Sequence, residues 1–133
     1  MNIGESVRQG DVLLIKRAGL PEGYRKVEKR AVVALGESSG HEHVVEKNAE
    51  VWVDGMQVWG VSDTDIAKID TAKPSLLRYL HILDSTSLDH SKEFKPTGDH
   101  DSIDLEPGYY EVEMQRQKPK PTVQASRVEF VGD

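Results

Sequence analysis

The chain contains no cysteine. That excludes disulfides, thiolate metal sites and a thiol nucleophile, so any metal would have to be held by histidine, aspartate, glutamate or water. Long apolar runs are also missing, with nothing near the ~20 residues that a bilayer-spanning helix needs. The stretch from Met1 to Asp11 has neither the basic start nor the apolar centre of an export signal. Both absences lead us to expect a cytoplasmic protein with no membrane partner. Basic charge is in deficit, with 17 Lys and Arg against 23 Asp and Glu and a formal net charge of -6, which argues against general nucleic-acid binding. Neither G-x-x-x-x-G-K-[ST], G-x-G-x-x-G nor H-E-x-x-H occurs, so the commonest nucleotide and zinc-protease chemistries have no anchor. No long segment carries a 3.6-residue apolar period either, which leaves little room for helix.

What is present reads as strands and turns. At 133 residues, 37% hydrophobic and 30% charged, the sequence fits one domain, 1–133, able to build its own core. Asp11 to Arg17 and Val27 to Leu35 are branched apolar runs flanked by turn residues. The basic start at Tyr24-Arg25-Lys26, continuing to Lys29-Arg30, suits a solvated edge strand. Glu50 to Val53 and Met56 to Trp59 flank Asp54-Gly55, the pair that a type I′ hairpin prefers, and this predicts a hairpin with both tryptophans packed. Ser62 to Ile69 allows one short helical turn or a surface strand. Leu76 to Leu83 alternates between a Leu77, Tyr79, His81, Leu83 face and a Leu76, Arg78, Leu80, Ile82 face, and His81 is expected to be a hydrogen-bonded core residue. Asp84 to Ser102 has the composition of a long polar loop. In the run from Tyr109 to Arg116, Tyr110, Val112 and Met114 alternate with Glu111, Glu113 and Gln115, and Ser126 to Val131 would close the fold. The expected class is all-β, mainly antiparallel: a small β-barrel or β-sandwich with little helix.

Function is most readable at Gly36-Glu37-Ser38-Ser39-Gly40-His41-Glu42-His43. In a strand, His41 and His43 project from one face and Glu42 from the other, and two neutral imidazoles can share one divalent metal ion. Two ligands do not make a site, so distant residues must join them. His90 and His100, in the long polar segment, are the candidates, and Glu37 could serve as general base on a bound water. Arg116 falls on the apolar side of its strand, where a guanidinium needs a carboxylate or a ligand anion, so Arg116 and its neighbour Gln115 are candidate ligand-binding residues.

Several short elements also resemble an uncharacterised family of small bacterial and phage proteins. Its pattern runs QGDV, GExTGHxH, HEEHxPI, PGxYxVxxQRE and a final VxD. The corresponding residues are Gln9-Gly10-Asp11-Val12, the Gly36 to His43 stretch, Pro107-Gly108-Tyr109-Tyr110-Glu111-Val112, Gln115-Arg116-Gln117 and Val131-Gly132-Asp133. His100-Asp101-Ser102-Ile103 matches only the second half of the histidine-rich element, whose first histidine is absent or displaced to His90. The resemblance implies which residues belong together and carries no activity with it. Cupins share an H-x-H strand, but Gly36 lies one residue too close to His41 and no histidine follows Pro107-Gly108.

Three functions compete at this level. The first is a β domain with a histidine-based divalent-metal or small-ligand site and hydrolytic chemistry. The second is a non-catalytic, phage-type accessory protein that binds another protein and uses its histidines only as hydrogen-bonding residues. The third is an RNA- or nucleotide-binding module on Arg25, Lys26, Lys29, Arg30 and Arg116, which the net acidity disfavours.

Overall fold

In the computed structural model the described residues are 1–36, 40–92, 95–96 and 102–115. They form eleven strands and one 3₁₀ turn, Ile66–Lys68. In chain order the strands are β1 (Ser6–Gln9), β2 (Val12–Arg17), β3 (Tyr24–Val27), β4 (Ala31–Leu35), β5 (His41–Val45) and β6 (Ala49–Asp54). Then come β7 (Arg78–Ile82), β8 (Thr86–Lys92), β9 (Lys95–Pro96), β10 (Ile103–Leu105) and β11 (Gly108–Met114). All the pairings are antiparallel. One sheet has the order β1-β2-β11-β7-β6-β3; the other has β10-β8-β5-β4 with β9 beside β8. The all-β expectation holds.

Alternation explains how the layers join. Val12, Leu14, Val51, Val53, Leu80, Ile82, Tyr110 and Val112 of the first sheet meet Ala31, Val33, Ala34, Val45, Leu88 and Leu105 of the second in one buried cluster. Each large aliphatic chain so buried contributes about 1.5–3 kcal/mol relative to exposure. The face predicted for Tyr110, Val112 and Met114 is the inner one, as is the face of Arg78, Leu80 and Ile82. The opposite face of β7 looks outward. His81 is therefore not a core residue: it bonds Glu50 at 3.0 Å and stacks on Tyr109 at 4.4 Å.

β3 is an edge strand, and the basic residues in it and just after it are engaged. Arg25 donates to the Val61 carbonyl at 2.9 Å and to Asp63 at 3.1 Å, and Lys29 donates to the Ile69 carbonyl at 2.8 Å. Lys26 pairs with Glu28 at 3.0 Å, a bond that raises its pKa. Arg30 bonds Glu46 and Glu42, and the Glu46 bond foremost holds its guanidinium above the ordinary value. A phosphate would have to displace carboxylates and carbonyls here.

Three further expectations are corrected. Asp54-Gly55 makes no hairpin, because β6 already has β3 on one edge and β7 on the other, leaving no edge for Met56 to Trp59. Trp59 is 82% exposed rather than packed. Part of the Asp84 to Ser102 segment is strand, since β8 pairs with β5 and β10.

Gly55 remains sensitive for a reason unrelated to a type I′ turn, since it is not among the glycines with positive φ. A Cβ on it would sit 2.2 Å from the Gly23 carbonyl oxygen, which accepts the Gly55 amide at 3.2 Å. Gly55→Ala is expected to cost about 1–3 kcal/mol through this backbone collision, measured as a lower urea midpoint. An unchanged midpoint would show that the contact relaxes freely.

Candidate functional site

Three of the five histidines meet on the inner face of the second sheet. His43 and His90 are directly opposed across the β5–β8 pair, and His41 is two residues along β5 on the same face. The ring centres are 4.7 Å apart for His43 and His90 and 5.1 Å apart for His41 and His90. Along this face Val45 and Leu88 belong to the core, His43 and His90 are nearly as buried at 3% and 5% exposed, and His41 is only half-buried. The histidines thus run from the core toward the rim of the sandwich. Glu42 points to the opposite face, where it bonds Arg30, as alternation requires.

Gln9 crosses from the first sheet to complete the cluster. The two-residue turn Gly10-Asp11 joins β1 to β2 with Gln9 opposite Val12, placing Gln9 at the end of its strand on the inner face. There it is 2% exposed. Its Nε2 donates to the Leu88 carbonyl at 2.9 Å, and its Oε1 lies 2.8 Å from His43 Nδ1. Leu88 O can only accept, which fixes the amide orientation; Gln9 Oε1 can only accept, so His43 Nδ1 carries the proton. In the neutral ring the lone pair is then on Nε2.

Gly36 packs against the same cluster from the start of the β4–β5 connection. Its amide donates to the His41 carbonyl at 2.8 Å. A Cβ at this position would come within 2.6 Å of His41 Cβ and 3.1 Å of His90 Nε2, so only glycine leaves the imidazoles in place. As the side chains stand, no group of three or more His, Asp or Glu among the described residues has its donor atoms gathered for a metal ion.

The structure thus brings together His41, His43 and His90 of the residues singled out from sequence. Glu37, His100 and Arg116 lie outside the described residues. Gln115 is exposed on the outer side of the first sheet, where its side chain accepts a bond from Arg8, away from the histidines. Gln9 was missed as a site residue, although it opens the Gln9-Gly10-Asp11-Val12 element. A glutamine ending a strand that turns directly into an apolar run was its only signal.

The family model for a domain of unknown function, DUF8820, matches residues 8–115. The chain belongs to DUF8820. The matched span begins one residue before Gln9, ends at Gln115 and takes in every histidine of the cluster. For this DUF8820 chain, no curated protein and no solved structure gives a match. No helix among the described residues is long and apolar enough to cross a membrane.

Proposed function

We propose that this DUF8820 domain binds a divalent metal ion through His41, His43 and His90, with Gln9 as the residue that orients His43. The ring spacing carries this reading. With zinc–nitrogen bonds of about 2.0–2.1 Å, an imidazole centre sits about 3.2 Å from its ion, so two rings subtending 90–109° have centres about 4.5–5.2 Å apart. The observed 4.7 and 5.1 Å fall inside that interval. Turning the His41 and His90 rings would aim their nitrogens without moving the strands, while His43 already has its protonated nitrogen held by Gln9. A metal-ligating histidine characteristically donates its other N–H in this way. Three protein nitrogens leave a fourth position for water or substrate, the arrangement of catalytic zinc. A hydrolytic reaction would add Glu37, one residue beyond Gly36 in sequence, as general base.

Calorimetric titration with zinc, manganese and nickel tests the proposal. Stoichiometric uptake of at least one ion is expected, falling on acidification because protonated imidazole cannot ligate. Gln9→Ala should weaken binding by about 10–100-fold. Glu42→Ala, on the same strand but facing away, should leave it unchanged. Negligible uptake, or equal losses in these two variants, would count against the site.

A further inference from the structure

A separate cleft lies beside the loop that follows β6, where Asp54-Gly55 predicts a hairpin. Residues 55–60 form consecutive turns, and the loop is tied down along its length. The Met56 amide donates to Asp54 Oδ1 at 3.0 Å, the Gln57 side chain donates to the Ser75 carbonyl at 2.9 Å, and Val58 is buried. This anchored backbone holds Trp59 82% and Met56 76% exposed over a cleft of about 560 Å³. Single exposed apolar residues need no explanation, but an indole and a thioether lining one cleft are what ligand sites are made of.

The charges lining the cleft select the ligand. Glu22 and Asp54 contribute two carboxylates. Arg25 is the one cation in the lining, and its guanidinium is turned onto the Val61 carbonyl at 2.9 Å and onto Asp63 at 3.1 Å. With Arg25 offset by Asp63, the cleft retains the charge of Glu22 and Asp54 in a lining that also holds the Trp59 indole. A cation over indole is the strongest of the cation–π pairings, and it is the usual recognition of quaternary ammonium groups. We infer that the cleft between Trp59, Met56, Glu22 and Asp54 binds a small organic cation of the alkylated-ammonium class. The volume favours a small molecule, being within the range of about 300–1,000 Å³ typical of such sites.

The probe is choline, compared with 3,3-dimethyl-1-butanol, which has the same shape without the charge. Trp52→Phe leaves Trp59 as the only indole of the chain, so its fluorescence reports on the cleft. Choline should shift or quench that emission saturably, with the neutral analogue at least about 10-fold weaker. Asp54→Asn keeps an Oδ1 acceptor for the Met56 amide, so the turn survives, and choline affinity should fall about 3–10-fold. In Trp59→Ala, broadening of the choline methyl resonance should disappear while the unfolding midpoint stays put. Equal affinity for the neutral analogue would overturn the inference, as would undiminished choline broadening in Trp59→Ala. Binding of an oligolysine peptide without any response to choline would also overturn it, in favour of a protein-docking surface.

Discussion

Replacing Arg78 with alanine is expected to lower the unfolding free energy by about 3–5 kcal/mol, a large part of the whole for a domain of this size. Arg78 is 2% exposed, on the inner face of β7. Its Nε and Nη2 donate to the Val33 carbonyl at 3.1 and 2.6 Å, and its Nη1 donates to the carbonyls of Lys73 and Leu76 at 3.1 and 2.6 Å. The reason Val33 accepts them is a register shift between Val32 and Ala34 in the β4–β5 pairing. A bulge leaves its extra residue out of the ladder, and a buried carbonyl without a donor is costly. Arg78 thus satisfies the bulge of one sheet from a strand of the other and pins the Lys73 to Leu76 segment as well. Alanine would leave the Val33 and Leu76 carbonyls short of donors around a large void, while the Lys73 carbonyl keeps the Leu76 amide. Lysine should recover only part of the loss, because a compact ammonium cannot reproduce the planar fork. Urea unfolding measures this; a loss under about 1 kcal/mol in Arg78→Ala would show that other groups or water take over the bonds.

The second large effect is expected at Gly36. Gly36→Ala places a Cβ 2.6 Å from His41 Cβ and 3.1 Å from His90 Nε2. The first of these partners is a Cβ next to the backbone, so the strand itself must shift. The cost in stability should be modest, about 1–3 kcal/mol. The cost in metal affinity should be larger, more than about 100-fold, because two of the three imidazoles move together while coordination tolerates errors of only about 0.2 Å. Calorimetry on the folded variant separates the two effects. Wild-type zinc affinity in Gly36→Ala would mean that the ion, if bound, is not held between His41 and His90.

What the sequence makes legible follows from local geometry. The His41 and His43 pair was readable because strand alternation is strict, and so were the Tyr110, Val112 and Met114 face and the edge position of the basic β3. The residue type of His90 makes it a candidate ligand, but its sequence surroundings read as a loop. Around it Thr86, Ser87, Asp89, Ser91 and Lys92 are polar, so no apolar alternation marks the segment as a strand. Pairing with β5 and β10, a nonlocal fact, makes it a strand. Asp54-Gly55 misled for the same reason in reverse. Its local preference is real, but β3 and β7 occupy both edges of β6 before a hairpin could form. Gln9 could not be assigned from sequence at all, because its partners His43 and Leu88 are 34 and 79 residues away.

The most direct test of the central claim is X-ray absorption at the zinc edge of zinc-loaded protein, with the same measurement on His43→Ala and His90→Ala. Three imidazole nitrogens at about 2.0–2.1 Å are expected in the native chain, with stoichiometric loading reduced in either variant while the metal-free unfolding midpoints show both variants folded. Zinc surrounded mainly by oxygen, or a native spectrum that survives in both variants, would contradict the site.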